Sequence, residues 1–233
     1  MTTQIRPSLG ILDLERGPAG GTVSVLPGSL RNPATFNFPI IFETVSGAWS
    51  DIVIPGDPSL DLACVGAARR LVERGAVAIS ADCGFFIRHQ TAVAAAVNVP
   101  VAISSLLLVP SLLRQLPPAA KLAVLVADSR YCDKKLLRVD DPVDRARIVI
   151  GGIEGGNYLP QAMQRPLPPT DVAAVEADVI ACVARIRAAH PEIAAILFEC
   201  TAFPLVAPTI RRVTNLPVYD ITNLCRLTLA SVV

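Results

Sequence analysis

The sequence predicts an α/β protein of two pseudo-symmetric halves, each a mostly parallel sheet flanked by helices, with the active site in the cleft between them. Three observations carry this reading. The chain states one unit twice. AVAISADCGFFIRHQTAVAAAVNVPVAI at 76–103 reads as a buried strand, a cysteine, a helix, Asn-x-Pro and a second strand, and IAAILFECTAFPLVAPTIRRVTNLPVYD at 193–220 repeats it. The shift that lays Cys83 on Cys200 also lays Asp82 on Glu199, Asn98 on Asn215 and Pro100 on Pro217, without a gap. Strand-length apolar runs alternate with helical segments throughout, the pattern of a parallel sheet with helical crossovers. Finally, the 233 residues are 52% apolar but only 5% aromatic. Such a composition suits strands buried on both faces beneath helices.

The first half, residues 1–117, opens on the apolar run 9–14, a strand ending near Asp13. Residues 16–37 are rich in Gly and Pro and read as a long loop, of the kind that often carries binding residues. A second strand follows at 37–45. Asp57-Pro58 places a capping side chain before Pro at the first helical position, starting a helix that runs to about Arg74. The strand 76–81 ends at Asp82-Cys83. A helix is predicted over 85–97, a strand over 99–103 and a helix over 106–115. The second half, residues 118–233, restarts with a strand at 121–127. A helix over 131–139, a turn at 140–144 and a strand over 146–150 follow, running into GGIEGG. Residues 161–169 form a Pro-rich connector, and Thr170 caps a long helix whose apolar face is Val172, Val175, Val179, Val183 and Ile186. The strand to Glu199, Cys200, a helix to about Thr214, a short strand at 217–220 and a final helix complete the chain. That last helix is expected to complete the first half.

Net charge is +1 with Lys and Arg scattered, which leaves neither a nucleic-acid nor a membrane-surface footprint. The six cysteines contain no Cys-x-x-Cys pair and there are only two histidines, so neither a metal site nor a thioredoxin-type pair is expected. Without an apolar leader at the N-terminus, free thiols point to the cytoplasm. Residues 89–113 carry no Asp, Glu, Lys or Arg, but Asn98-Val-Pro100 and Ser104-Ser105 interrupt the run, so it reads as helix, strand and helix rather than a membrane span.

Open α/β sheets bind ligands at the carboxyl ends of their strands, where both Cys83 and Cys200 fall. A lone cysteine is usually core, and Cys64, Cys132, Cys182 and Cys225 are read so. The matched pair is not. Two thiols at helix starts, facing each other across a pseudo-two-fold axis, could take a proton from one face of a carbon acid and return one to the other. Backbone N–H groups after each cysteine would hold a carboxylate and the enolate-like charge. The sequence therefore predicts a cofactor-independent racemase or epimerase. A one-cysteine decarboxylase or cis-trans isomerase and a non-catalytic small-molecule sensor are the alternatives. The glycine-rich 151–156 segment reads as a loop offering Glu154 to the site, with Ser129 at the end of the strand before it. Arg16 and Arg31 in the first loop are placed to meet a second carboxylate or to be solvated. His89 is expected at the surface, and Trp49 and Tyr158 as structural or loop residues.

SADCGFF, LFECTAFP and Asn-Pro-Ala-Thr-Phe at 32–36 resemble the aspartate/glutamate/hydantoin racemase superfamily over essentially the whole chain. The resemblance implies two Rossmann-like halves, a PLP-independent two-base isomerase without cofactor or metal, a small carboxylate substrate, and a homodimer or higher homo-oligomer. Carried over by position, Cys83 and Cys200 are the acid/base pair. Gly84, Phe85, Thr201 and Ala202 line the carboxylate site, with Asp13, Asn32 and Thr35 also facing substrate. Two departures stand out. Amino-acid racemases of the superfamily commonly have Asn-Thr after the first cysteine, where this chain has Gly84-Phe85. They commonly have Thr-His after the second, where it has Thr201-Ala202. Phe85, Phe86 and Phe203 accordingly predict a less polar substrate.

Overall fold

A computed structural model describes residues 7–17 and 26–232 of the chain. Two parallel sheets form the framework. Strands β1 (Ser8–Asp13), β2 (Ile40–Thr44) and β3 (Ala76–Ala81) make a sheet in the order β2-β1-β3. Strands β4 (Lys121–Val126), β5 (Ile148–Gly152), β6 (Ile193–Phe198) and β7 (Val218–Tyr219) make the other, in the order β5-β4-β6-β7. Leu9, Ile11, Leu12, Leu122, Val124 and Leu125 are fully buried, as expected of central strands covered on both faces.

The repetition in sequence is repeated bond for bond. The Asp82 N–H donates to Leu12 O, and the Glu199 N–H to Leu125 O, each at 2.8 Å. The Ile79 N–H meets Pro100 O and the Ile196 N–H meets Pro217 O, each at 2.9 Å. The predicted strand 99–103 shrinks to one bridge, Ile79 to Val101, whose counterpart is the pairing of Ile196 with Val218. Prolines at 100 and 217 lack the N–H a longer ladder needs.

Several helices differ from expectation. Gly84–His89 is a 3-10 helix, followed by a short α-helix at Gln90–Ala94. Ser105–Leu108 is likewise 3-10 before the helix Val109–Gln115. No helix spans 131–139; a 3-10 turn at Ser129–Tyr131 and further turns take its place, and Pro142–Ala146 is helical where a turn was expected. Local competition explains both. Asp128 and Asp133 side chains accept from Arg130 N and Leu136 N, which favours turns. Asp141 accepts from Val143 N with Pro142 at the first helical position, a strong helix start. Asp171 rather than Thr170 caps Val172–Ala189, accepting from Ala174 N. The expected loop 16–37 lies partly outside the described residues.

The helix Ile221–Ala230 packs back on the first sheet, where Ile221, Leu224, Cys225 and Leu229 bury against Leu9, Ile11 and Ala78. Ser105 Oγ donates to Phe198 O at 2.6 Å, bonding the first half to β6 of the second. Among the described residues no helix is long and apolar enough to cross a membrane.

Candidate active site

β3 and β6 end side by side, and the segments that follow them touch. The Thr201 hydroxyl donates to Asp82 O at 3.0 Å, tying the turn after one cysteine to the residue before the other. Gly84 lies against Glu199 so closely that a Cβ there would sit 2.3 Å from Glu199 O and 2.4 Å from its Oε1. This packing accounts for the first departure from the racemase pattern: the Glu199 carboxyl fills the space that a side chain after Cys83 would need. Both Cys83 and Cys200 are half-buried free thiols.

Burial, the Glu199 charge and the neighbouring Cys200 push the Cys83 thiol well above its ordinary value, with Asp82 adding to the rise and the Phe85 N–H opposing it. Burial and then Glu199 also push Cys200 up, again with Asp82 adding, but two N–H groups, of Ala202 and Phe203, oppose the shift. The two sites are therefore unequal. Cys200 has two N–H donors at its sulfur where Cys83 has one, and such donors favour a charged sulfur. The donors lie in or just before 3-10 turns of six and four residues rather than in long helices.

Glu199 is 1% exposed; its Oε2 accepts from Ala127 N at 3.2 Å, while its Oε1 has no hydrogen-bond partner. Burial raises its carboxyl to about 8, against the Ala127 N–H and Arg88. Its repeat partner Asp82 has opposite surroundings. Arg16 Nη2 bonds Asp82 Oδ2, Arg31 Nη2 bonds Asp13 Oδ2, and Arg31 also lies 3.9 Å from Asp82. Burial and the Asp82 charge lift Asp13 to about 6 in spite of both arginines. Beside this cluster opens a cleft of about 290 Å³ whose walls include Asp13, Arg16, Thr44 and Trp49.

Of the residues expected at the site, Cys83, Gly84, Thr201, Cys200 and the N–H groups of Phe85 and Ala202 converge as described. The Phe85 ring does not face a ligand space: Phe85, Phe86 and Phe203 are wholly buried, which removes the argument for an apolar substrate built on them. Asn32 and Thr35 belong to a 3-10 turn, where Asn32 accepts from Ala34 N, Thr35 Oγ1 donates to Ser29 O, and Arg226 donates to Thr35 O. That turn sets down Arg31, the neighbour that does reach Asp13. Ser129 and Glu154 bond each other, through both the Ser129 N–H at 3.0 Å and its hydroxyl, and Glu154 is near Cys182 and Arg130.

Tyr158 was missed in the sequence. Burial raises its phenol well above the usual value, and the charges it feels are those of Cys200, Asp82, Cys83 and Arg16, so it borders the site. Nothing in the local sequence signals this, since GGNYLP reads as loop. His89, expected at the surface, is 1% exposed, with Nδ1 at 2.6 Å from Asp61 Oδ1. Among the described residues no group of three or more His, Cys, Asp or Glu could hold a metal ion.

This two-lobed arrangement shares its fold with solved glutamate racemase and arylmalonate decarboxylase structures. Glutamate racemase from Francisella tularensis subsp. tularensis SCHU S4, solved with D-glutamate, matches with a TM-score of 0.61 at 16% identity, covering 97% of this chain and 80% of that one. A mutant arylmalonate decarboxylase in its sulfate-associated form matches with a TM-score of 0.53 at 22% identity, covering 91% and 87%. No family model matches the sequence. Curated relatives in sequence have a different activity from the one predicted. A dimethylsulfoniopropionate lyase from Durusdinium sp. clade D is 32% identical over 205 residues, 84% of this chain and 66% of that protein. Dimethylsulfoniopropionate lyases 3 and 5 of Emiliania huxleyi (strain CCMP1516) are 29% and 27% identical over 97% and 96% of this chain, and 60% and 45% of their own lengths. The chain thus spans less than two thirds of each of these three relatives. The racemase or epimerase expectation, and with it the isomerase class, is overturned by these relatives: they are lyases, and of the sequence-based readings the alternative outside racemisation stands nearer to them.

Proposed function

We propose that the protein is a carbon–sulfur lyase that eliminates a dialkyl sulfide from a small β-sulfonio carboxylate, dimethylsulfoniopropionate being the compound to try first. The observation that carries this reading is the unequal pair of thiols in one site, in a chain whose relatives are such lyases. Cys200 acts as the base. Its thiolate takes the proton α to the carboxylate, an S–H bond forms, the C–H electron pair becomes the C=C bond, and the C–S bond breaks with its pair going to sulfur. The products are a neutral sulfide and an α,β-unsaturated carboxylate. A neutral leaving group needs no proton, so one base suffices and the two cysteines need not be equivalent. N–H groups around the cysteines support the charge developing on the substrate carboxylate.

The electrostatics favour a cationic substrate. In the free protein, burial first, then the Asp82 carboxylate and, above about pH 8, that of Glu199, hold both thiols protonated. A sulfonium ion about 5 Å from sulfur, at an effective dielectric constant of about 20, stabilises a thiolate by roughly 3 kcal/mol, or about two pK units. The substrate would lower the cost of ionising its own base. The reading retains a homodimer or larger homo-oligomer as the working unit, for sedimentation to measure.

The test is headspace detection of dimethyl sulfide from dimethylsulfoniopropionate. Cys200→Ala should lose about 10²- to 10⁴-fold in kcat, the usual worth of a general base, and Cys83→Ala distinctly less. Absence of sulfide release by the unaltered chain, or equal losses in both variants, would overturn the respective parts of the proposal.

A further inference from the structure

We propose that the ring of Asp13, Arg16, Asp82 and Arg31 at the carboxyl edge of the first sheet is a docking site for a small zwitterion. A guanidinium of the ring would take the carboxylate, and the Asp carboxylates would face the cationic end. The inference rests on the lyase reading only in its choice of a sulfonium or ammonium carboxylate as ligand.

The signs alternate around the ring. Arg16 touches Asp82 and has its Nε 3.5 Å from Asp13, while Arg31 touches Asp13 and reaches Asp82 at 3.9 Å. Two positive and two negative groups leave no net field to draw in a simple anion or a simple cation. A ligand carrying both charges can gain at each end, since every charge in the ring has an opposite neighbour beside it. The ring also has unused capacity. Arg31 Nε is buried without a hydrogen-bond partner, and Asp13 Oδ1 and Arg16 Nε, which make no hydrogen bond, have only each other at 3.5 Å. Buried polar atoms left without a hydrogen bond are costly, so these atoms mark a place that a ligand can complete. Arg31 is held in place for this, its guanidinium 4.3 Å over the Phe42 ring.

The position fits as well. On one side the ring opens into the cleft of about 290 Å³, at the small end of the usual range for ligand sites, with Trp49 in its wall. On the other side Asp82 is joined by its peptide bond to Cys83, and Tyr158 senses Asp82, Arg16 and both thiols together. A zwitterion docked here has its carbon chain near the sulfurs.

Trp49 is the single tryptophan of the chain, so its fluorescence reports on the cleft. The full chain is titrated with 3-(trimethylammonio)propionate, a zwitterion with a poor leaving group, and separately with butyrate and with ethyltrimethylammonium. Saturable binding of the zwitterion at least about tenfold tighter than either single ion is expected, a gap of about 1.4 kcal/mol. Arg16→Gln and Asp82→Asn should each weaken the zwitterion about tenfold. Because the ligand comparison uses the unaltered protein, it stands even if a variant does not fold. Butyrate binding as tightly as the zwitterion, or folded variants that bind the zwitterion undiminished, would overturn the site. Zwitterion binding without sulfide release would support the site and sink the lyase reading. Sulfide release with no zwitterion preference would do the reverse.

Discussion

Gly84 shows how much one residue can decide at this site. Its backbone adopts no conformation that requires glycine; what requires it is Glu199, whose carbonyl and carboxyl oxygens occupy the space of a Cβ. Both nearest atoms belong to a residue held by the β6 ladder and by Ala127 N, so they cannot swing away as a flexible chain end would. Gly84→Ala should therefore separate the two cysteine segments. Overpacking of this kind costs about 1–3 kcal/mol, read as a drop in the urea midpoint, and the Thr201 to Asp82 contact is the first to strain. Glu199→Gln is the gentler substitution at the same contact. An amide oxygen can still accept from Ala127 N, and the amide nitrogen takes the place of the unpartnered Oε1. Removing the charge that raises both thiols should make Cys83 and Cys200 alkylate several-fold faster than in the unaltered chain at pH 9, measured by iodoacetamide labelling and peptide mass spectrometry.

At the scale of elements, the repeat was legible because its signals are short-range: apolar strands ending in an acid and a cysteine, then Asn-x-Pro, twice. The fold class and the pairing of Cys83 with Cys200 follow from that. Illegible were the contacts made across the seam. Tyr158 borders the site from a short helix, Tyr158–Ala162, that sequence reading placed in a loop and a connector. Arg16 and Arg31 find Asp82 and Asp13 from a Gly- and Pro-rich segment with no periodicity to betray its path. His89 lies in the interior with its Nδ1 2.6 Å from Asp61 Oδ1, a partner 28 residues away in the chain. The final helix illustrates the better-signalled kind of element. Asp220 caps it in a capping box with Asn223, accepting from Thr222 N at 2.8 Å, and its apolar face covers the first sheet. Asp220→Ala should cost about 1–2 kcal/mol in chemical denaturation. Because the helix is the cover of the opposite half, the loss should appear as one cooperative shift of the whole transition. A separate, earlier unfolding of residues 221–230 in hydrogen exchange would contradict that coupling.

For the whole molecule, the seam carries both the chemistry and a pH-dependent load. The two sheets are joined there by Ser105 to Phe198, by Thr201 to Asp82 and by Gly84 packed on Glu199. Glu199 is buried with its carboxyl raised from 4.5 to about 8, so the native state holds a proton that the unfolded chain releases at a much lower pH. Where the native state binds more protons, stability falls as pH rises. The sign is thus fixed: the contribution is fully present below about 4.5 and is lost progressively as pH climbs towards 8. Facing Glu199 are Arg88, which softens the loss, and Cys83, Cys200 and Cys132, which remain neutral over this range. Asp13, raised from 3.8 to about 6, adds a smaller loss of the same sign between those values. Full ionisation of Glu199 would remove on the order of 5 kcal/mol if nothing relaxed, and water entering the seam will reduce that. Urea midpoints for the unaltered chain should therefore fall steadily between pH 5 and pH 8.5, whereas Glu199→Gln should flatten most of the slope and leave only the part due to Asp13 below about 6. Parallel slopes in the two proteins would mean that the Glu199 carboxyl is solvated and charged, and that the seam is open where its packing against Gly84 says it is closed.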